Sequence, residues 1–229
     1  MAIIHNFVVF EGGDGTGTST QLGLLHKRFA AGMASAGDGD VPTLPPLHAT
    51  FEPTDGSIGT LIRSALRGNT SLQDETVARL FAADRNEHLY GPAGIKARCE
   101  RGELVVSDRY VLSSLVYQGI TCGDDLPVLL NKDFPLPEML FFFDLEPETA
   151  LRRLESRLVK DTYEYLDFQV LVRQRYKALL PGYVEAGVTV TEIDASLPPE
   201  EVADAVWSVL EKMPILRGCV NTGQLPLPF

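Results

Sequence analysis

The chain has 229 residues, of which 45% are hydrophobic and 22% are charged, and this composition is typical of a globular protein rather than a disordered one. Its formal net charge of -11 argues against broad electrostatic binding to nucleic acid, which requires many Lys and Arg side chains along one surface. The longest apolar runs fall far short of the ~20 residues of a membrane-spanning helix, and the N-terminus lacks the pattern of a secretory signal, so we expect a cytoplasmic protein without membrane contact.

The first half of the chain alternates apolar strands with helical patterns. Asn6–Phe10 predicts a strand, and after a Gly-rich turn the apolar spacing of Ser19–Ala31 predicts a helix. The stretch Gly32–Pro46 is rich in Gly, Pro, Ala and Ser and predicts a mobile connection. The next predicted elements are a strand at Leu47–Thr50, helices at Ser57–Arg67 and Asp74–Arg101, and a strand at Glu103–Ser107.

The second half continues this alternation, with a helix after the polar triplet Asp108–Tyr110. The remaining predicted elements are a strand at Met139–Phe143, helices at Pro147–Arg157 and Asp167–Leu180, a strand at Val188–Ile193 and a helix at Pro199–Lys212. Continuously apolar strands that alternate with helices indicate a parallel sheet covered on both faces. We therefore predict an α/β fold of three layers with five parallel strands, forming one domain over residues 1–213. Residues 214–229 are predicted to be a poorly ordered or surface-laid extension.

The turn after the first strand carries the clearest motif. Residues 12–20 read GGDGTGTST and match the spacing of the phosphate-binding pattern G-x-x-x-x-G-K-[ST]. Glycines let successive backbone N–H groups converge on an anion, and the N-terminus of the following helix adds the positive end of its dipole. The alternative is an ordinary Gly-rich turn without a ligand. We predict that a nucleotide's phosphates contact Gly12, Gly13, Asp14, Gly15, Thr16, Gly17, Thr18, Ser19 and Thr20.

Thr18 occupies the position at which this pattern has lysine. Lysine reaches the β and γ phosphates as a point charge, whereas the threonine hydroxyl is short and neutral. Loss of one preorganised charge-stabilising donor typically slows a reaction by about 10²- to 10³-fold, and binding tolerates the loss better than catalysis does. Ser19 follows this position directly and is therefore the predicted hydroxyl ligand of magnesium.

Motifs further along the chain extend the pattern. Residues 7–21 read FVVFEGGDGTGTSTQ, residues 80–85 read LFAADR, residues 108–119 read DRYVLSSLVYQG and residues 144–153 read DLEPETALRR. Together they resemble the thymidylate kinase family, and the resemblance runs from about residue 7 to residue 190. It implies a nucleoside monophosphate kinase of the P-loop type with a short lid at about residues 155–165, ATP and Mg²⁺ as cofactors, dTMP as the acceptor and a homodimer.

The resemblance also implies roles for individual side chains. Asp14 would accept a hydrogen bond from the 3′-hydroxyl of dTMP, and Arg109 would hold the acceptor phosphate, so both are candidate catalytic residues. Phe81 would stack on thymine, because an aromatic face makes flat and dry contact with a base. Arg85 would donate to a carbonyl at the base edge, and Asp108 would hold magnesium directly or through water.

A second group from the same motif falls near the nucleoside. Ser114 and Gln118 would lie near the base, and Tyr117 would crowd the 2′ position and favour deoxyribose. Taken singly, Phe81 and Tyr117 favour core packing over a binding role, and Arg85 and Arg109 are consistent with surface ion pairs. Their joint occurrence in two spaced motifs favours binding.

Two stretches depart from the family pattern. Residues 51–57 read FEPTDGS where many members have R-E-P-G-G-T, so an arginine is absent, although Phe51 resembles another branch and remains a candidate substrate contact. The lid is short and carries few arginines. Arg153, Arg157 and Lys160 are the cations available to supply part of the missing lysine's charge, and we predict Arg157 and Lys160 to be catalytic.

Three functions remain open at this point. The first is phosphoryl transfer from ATP to dTMP in dTTP synthesis, with activity that Thr18 reduces. The second is a weakly active or inactive nucleotide-binding protein that retains the dTMP pocket. The third is a related kinase with another nucleotide acceptor.

Overall fold

The fold is centred on a five-stranded parallel sheet. A computed structural model describes residues 2–35, 44–154, 163, 165–217 and 219 of the chain. The sheet has the order β2-β3-β1-β4-β5, and every neighbouring pair is parallel. The prediction of a three-layer α/β fold is confirmed. The strands are β1 (Ile3–Gly12), β2 (Leu47–Phe51), β3 (Leu104–Asp108), β4 (Leu136–Asp144) and β5 (Thr189–Asp194).

Helices cover both faces of this sheet. In chain order they are α1 (Thr18–Ser35), α2 (Ser57–Leu66), α3 (Asp74–Tyr90), α4 (Ile95–Glu100), α5 (Val111–Cys122), α6 (Asp125–Asn131), α7 (Pro147–Leu154), α8 (Leu166–Glu185) and α9 (Pro199–Leu210), followed by a short 3₁₀ helix (Pro214–Leu216). Within the described chain, no helix is both long enough and apolar enough to cross a membrane.

The central strand β1 shows why the sheet has apolar residues at consecutive positions. Val8 and Phe10 pack with α1 and α9 on one face, whereas Phe7 and Val9 pack with α4 and the start of α5 on the other. Successive side chains of a strand point to opposite faces. A strand covered on both sides therefore needs apolar residues at every position, and all four side chains are at most 1% exposed.

The predicted helix Asp74–Arg101 was wrong, because two helices occupy this stretch. Helix α3 ends at Tyr90, and α4 begins at Ile95. Between them Gly91 has an extended ψ of 167°, and Pro92 follows it. A proline disfavours helical geometry at the residue before it and cannot donate a backbone hydrogen bond, so the helix stops there.

Other boundaries also differ from the predictions. Helix α1 continues beyond Ala31 to Ser35, while residues 36–43 of the predicted connection lie outside the described part of the chain. The start of the predicted extension is packed, since Leu216 is 0% exposed in the core next to α9. The core thus continues beyond residue 213.

Candidate active site

The turn between β1 and α1 forms the wall of a cavity of about 530 Å³. Gly15 and Gly17 have φ angles of +83° and +96°, which only glycine adopts readily. A Cβ atom on Gly15 would lie 2.4 Å from the carbonyl oxygen of Ala150, so glycine is also required by the close approach of α7. The Thr16 hydroxyl donates to the Gly13 carbonyl at 2.9 Å and fixes the turn. We call this space the phosphate-loop cavity, and its lining includes every residue from 13 to 20.

Two oxygen-bearing side chains at the edge of this cavity suit a hard cation. The Ser19 hydroxyl donates to Asp108 Oδ2 at 2.5 Å. The other carboxylate oxygen, Asp108 Oδ1, is buried and has no hydrogen-bond partner among the described residues. Mg²⁺ prefers oxygen ligands and is usually held by one or two protein groups together with phosphates and water. Ser19 and Asp108 therefore fit the predicted magnesium ligands.

A second cavity, of about 200 Å³, lies beside the first, and we call it the acceptor cavity. Phe51 does not line it. That side chain is 41% exposed and faces a neighbouring cavity that Ser19 and Asp108 also line. The acceptor cavity collects the other predicted substrate contacts, namely Asp14, Phe81, Arg85, Arg109, Ser114, Tyr117 and Gln118.

Arg85 is held in place by several partners. Its side chain is 1% exposed, and its Nη2 lies 2.8 Å from the Glu52 carboxylate, which offsets its charge. It also donates to Ser114 Oγ at 3.0 Å and to the Asn131 side-chain oxygen. A buried arginine with these bonds has one orientation, so the guanidinium edge that faces the cavity is fixed.

The two cavities meet at an ion pair between Asp14 and Arg109. Arg109 Nη2 donates to Asp14 Oδ1 at 2.7 Å, and Arg109 Nη1 donates to the carbonyl of Gly12 at 3.0 Å. Both side chains line both cavities. Arg109 has a φ of +74°, which is uncommon for a residue with a side chain, and such strained conformations cluster at functional sites.

The electrostatic surroundings keep Arg109 charged. Burial alone would lower the pKa of this guanidinium, but Tyr117 and Asp14 hold the pKa well above the ordinary value for arginine. The guanidinium carbon lies 5.1 Å from the centre of the Tyr117 ring, within the range of a cation–π contact. A permanent positive charge thus lies where the two cavities meet.

The motifs did not indicate some residues that line the acceptor cavity. Arg63, in α2, lines it and also lines the neighbouring cavity that holds Phe51. It donates to the carbonyls of Pro53 and Thr54 at 2.6 and 2.7 Å. The loss of an arginine from the 51–57 loop was the available signal that another cation would be needed there.

Tyr163 also lines the acceptor cavity, and its ring stacks on Phe168 with 4.9 Å between centroids. Gln169 stands behind Asp14, with Nε2 donating to Asp14 Oδ2 at 2.7 Å and Oε1 accepting the Asp14 backbone N–H at 3.1 Å. Tyr163 lies within the predicted lid, and Gln169 follows it. Nothing in their local sequence spacing shows that they face the phosphate loop.

The predicted lid cations are only partly described. Arg153 is exposed and lines the phosphate-loop cavity. Arg157 and Lys160 lie outside the described residues. Their predicted catalytic roles stay predictions.

Comparison with known proteins agrees with the sequence motifs. The family model for thymidylate kinase matches residues 10–206. Three relatives, each named provisionally as a thymidylate kinase, cover nearly the whole chain. One from Treponema pallidum is 42% identical over 90% of this chain and 95% of its own length. Those from Pyrobaculum aerophilum and Methanocaldococcus jannaschii are 37% and 32% identical, over 90% and 91% of this chain and 97% of each relative.

Proposed function

The chain belongs to the thymidylate kinase family, and we propose that it is an ATP-dependent dTMP kinase that transfers the γ-phosphoryl group of ATP to the 5′-phosphate of dTMP, giving dTDP and ADP. The observation that carries the proposal is that a phosphate-loop cavity and an acceptor cavity meet at the Asp14–Arg109 pair. Phosphoryl transfer requires little covalent chemistry from the protein and depends on bringing two phosphates together in a fixed, charge-neutralised arrangement. Two adjoining cavities with a shared cation suit that requirement.

On the acceptor side, Arg63, Arg67 and Arg109 line the cavity and are the cations that can hold the phosphate of dTMP. The buried Arg85 lines the same cavity and would lie towards the base. Phe81 offers an aromatic face to thymine. The guanidinium of Arg85 donates but cannot accept, so it favours the thymine carbonyl over the amino group of cytosine. Tyr117 also lines this cavity, where it would crowd the 2′ position of the sugar and favour deoxyribose.

On the donor side, the backbone of residues 13–20 and the start of α1 face the phosphates of ATP. The same cavity has an apolar wall formed by Leu197, Pro199 and Val202, which suits a flat base. Ser19 and Asp108 would hold magnesium. When bound, magnesium supplies charge that offsets the phosphate oxygens during transfer.

Thr18 is the reason to weigh a second function, because it gives the phosphate loop no lysine charge. A nucleotide-binding protein that keeps the dTMP pocket but turns over weakly is the alternative. We infer that a lid-region cation, Arg153, Arg157 or Lys160, replaces part of that charge. Alanine variants of the three test this, and turnover that is unchanged in all of them would contradict it.

The deciding experiment measures dTDP formation from ATP, Mg²⁺ and dTMP, with calorimetric dTMP binding alongside. The unmodified protein is compared with Thr18→Lys, and dUMP, dCMP and dGMP serve as competing acceptors. Turnover of the unmodified protein with preference for dTMP supports the kinase. Tight dTMP binding with turnover only in Thr18→Lys supports the binding protein instead, and preference for another acceptor would refute the assignment of dTMP.

The family resemblance further leads us to propose a homodimer, a cytoplasmic location and a place in dTTP synthesis. Light scattering after size-exclusion chromatography tests the oligomeric state. A mass of one chain, about 25 kDa, would contradict the dimer.

A further inference from the structure

A buried carboxylate lies behind Arg109, in a part of the site to which the motifs assign no role. Glu11 is the penultimate residue of β1 and is 0% exposed. Its Oε1 accepts the backbone N–H groups of Tyr110 and Ser113 at 3.0 and 3.3 Å. Its Oε2 accepts the hydroxyl of Ser113 at 2.6 Å and that of Tyr176, in α8, at 2.9 Å. Both oxygens therefore act as acceptors.

The same two hydroxyls face Arg109. Arg109 Nη1 lies 3.1 Å from Ser113 Oγ and 3.4 Å from Tyr176 Oη. Because a hydroxyl has one hydrogen and a carboxylate is the stronger acceptor, the hydroxyl hydrogens point to Glu11 and their lone pairs point to the guanidinium. The order of the bonds is thus guanidinium to hydroxyl to carboxylate.

This arrangement acts on the edge of Arg109 opposite its partner Asp14. Asp14 contacts Nη2, whereas the two hydroxyls and the Gly12 carbonyl contact Nη1. An acceptor phosphate has to share the guanidinium with Asp14. A fixed Nη1 edge stops the side chain from rotating towards Asp14 alone and keeps its remaining donors directed at the acceptor cavity.

We propose that Glu11, Ser113 and Tyr176 are positioning residues, which hold the Arg109 guanidinium in the orientation that binds the acceptor phosphate. The inference rests on the proposed function, since it concerns the phosphate of dTMP. None of the three residues is required to touch that phosphate. Glu11 is ionised when it does this, and because burial raises its pKa to about 7, the kinetics are best measured at about pH 8.

The most informative variant is Glu11→Gln, which keeps the shape but turns one acceptor into a donor. The amide oxygen stays with the two backbone N–H groups, so the NH₂ group faces the hydroxyls and turns their hydrogens towards Arg109. We expect the KM for dTMP to rise by about 10- to 100-fold, the range for disturbing a hydrogen bond to a charged group, while the KM for ATP changes by less than about 2-fold.

Tyr176→Phe removes one hydroxyl, and with it one hydrogen bond to Glu11, but it keeps the carboxylate and its bonds to Tyr110 and Ser113. We expect a smaller increase in the KM for dTMP, about 3- to 10-fold, because one neutral acceptor is lost. Tyr183→Phe is the matched control on the same helix. Its ring is 7% exposed, and its hydroxyl has no hydrogen-bond partner within the described part of the chain, so the KM for dTMP should not change.

The measurements are steady-state kinetics with each substrate varied in turn, calorimetric dTMP affinity, and thermal unfolding to confirm folding. Weaker dTMP binding in Glu11→Gln and Tyr176→Phe, but not in Tyr183→Phe, supports the inference. Unchanged dTMP binding in the first two variants overturns it, as do equal losses in all three. If Glu11→Gln does not fold, Tyr176→Phe against its control decides.

The proposed function can fail separately. A wild-type protein that binds dTMP but forms no dTDP refutes the kinase, and calorimetric affinities of the same variants still decide the positioning role. A wild-type protein that does not bind dTMP overturns both.

Discussion

Replacing Glu11 by Gln should also change how the free energy of unfolding depends on pH. Burial is the main cause that raises the pKa of Glu11 from 4.5 to about 7, against the opposing effect of its hydrogen bonds and of Arg109. Between these two values the folded protein binds more protons at this position than the unfolded chain does. Folding stability from this group is therefore fully present below about pH 4.5 and is lost as the pH rises through about 7.

The size of the effect follows from the difference in pKa between the folded and unfolded protein. A tenfold change in an acid dissociation constant corresponds to about 1.4 kcal/mol, so raising the pKa from 4.5 to about 7 corresponds to about 3 kcal/mol in total. Most of this, about 2–3 kcal/mol, falls between about pH 5 and about pH 8. The Gln side chain does not titrate. The unfolding free energy of Glu11→Gln minus that of the wild type should therefore rise by about 2–3 kcal/mol across this range.

The assay is urea unfolding of both proteins at several pH values, followed by fluorescence of the single Trp. Using the difference between the two proteins cancels the titration of all other groups. Glu87→Gln, on α3, is the control for removing a carboxylate that is exposed in the folded protein. A Glu11→Gln difference that does not change with pH, or that falls as the pH rises, would refute the view that the folded protein buries this carboxylate at a cost.

Three further predictions test the site and the fold. Gly15→Ala should weaken ATP binding at least ~10-fold and destabilise the protein by about 1–3 kcal/mol, because the new Cβ would clash with the Ala150 carbonyl and because the φ of +83° is strained for alanine. Nucleotide titration and urea unfolding check this prediction, and normal ATP affinity would contradict it. Asp108→Asn should raise the Mg²⁺ concentration needed for half-maximal turnover by about 10-fold, because the substitution removes a negative charge that would face the metal. Magnesium titration at fixed ATP measures this, and an unchanged Mg²⁺ requirement would exclude Asp108 as a ligand. Leu216→Ala should cost about 2–5 kcal/mol in urea unfolding, because this side chain is fully buried; a loss below about 1 kcal/mol would mean that the segment does not stabilise the core.

The fold and most of the acceptor cavity could be predicted because the signals are local. Parallel strands place their carboxyl ends at one edge of the sheet, so the motifs that follow β1 and β3 must meet there. Asp14 and Arg109 are 95 residues apart and form an ion pair at that edge. The break at Pro92 was also readable from the sequence, but the helical pattern on both sides of it concealed the interruption.

The supporting residues could not be predicted for a physical reason. Glu11 lies at the end of an apolar strand, and its side-chain partners Ser113 and Tyr176 lie 102 and 165 residues away. Glu11 and Ser113 lie within the motifs at residues 7–21 and 108–119, but spacing inside one loop or helix does not show which groups from different elements will contact each other. Tyr176 lies in neither motif, and only the folded arrangement of β1, α5 and α8 brings the three side chains together.

Stability and dTMP binding should respond in opposite directions to the loss of the Glu11 charge. If the carboxylate served only to hold β1 against α5, replacing it would lower both the unfolding free energy and the affinity for dTMP. A positioning carboxylate that is costly to bury gives the opposite pattern, in which Glu11→Gln gains stability relative to the wild type as the pH rises and loses affinity for dTMP at about pH 8. Measured together on one variant, the two quantities separate a structural role from a functional one more sharply than either does alone.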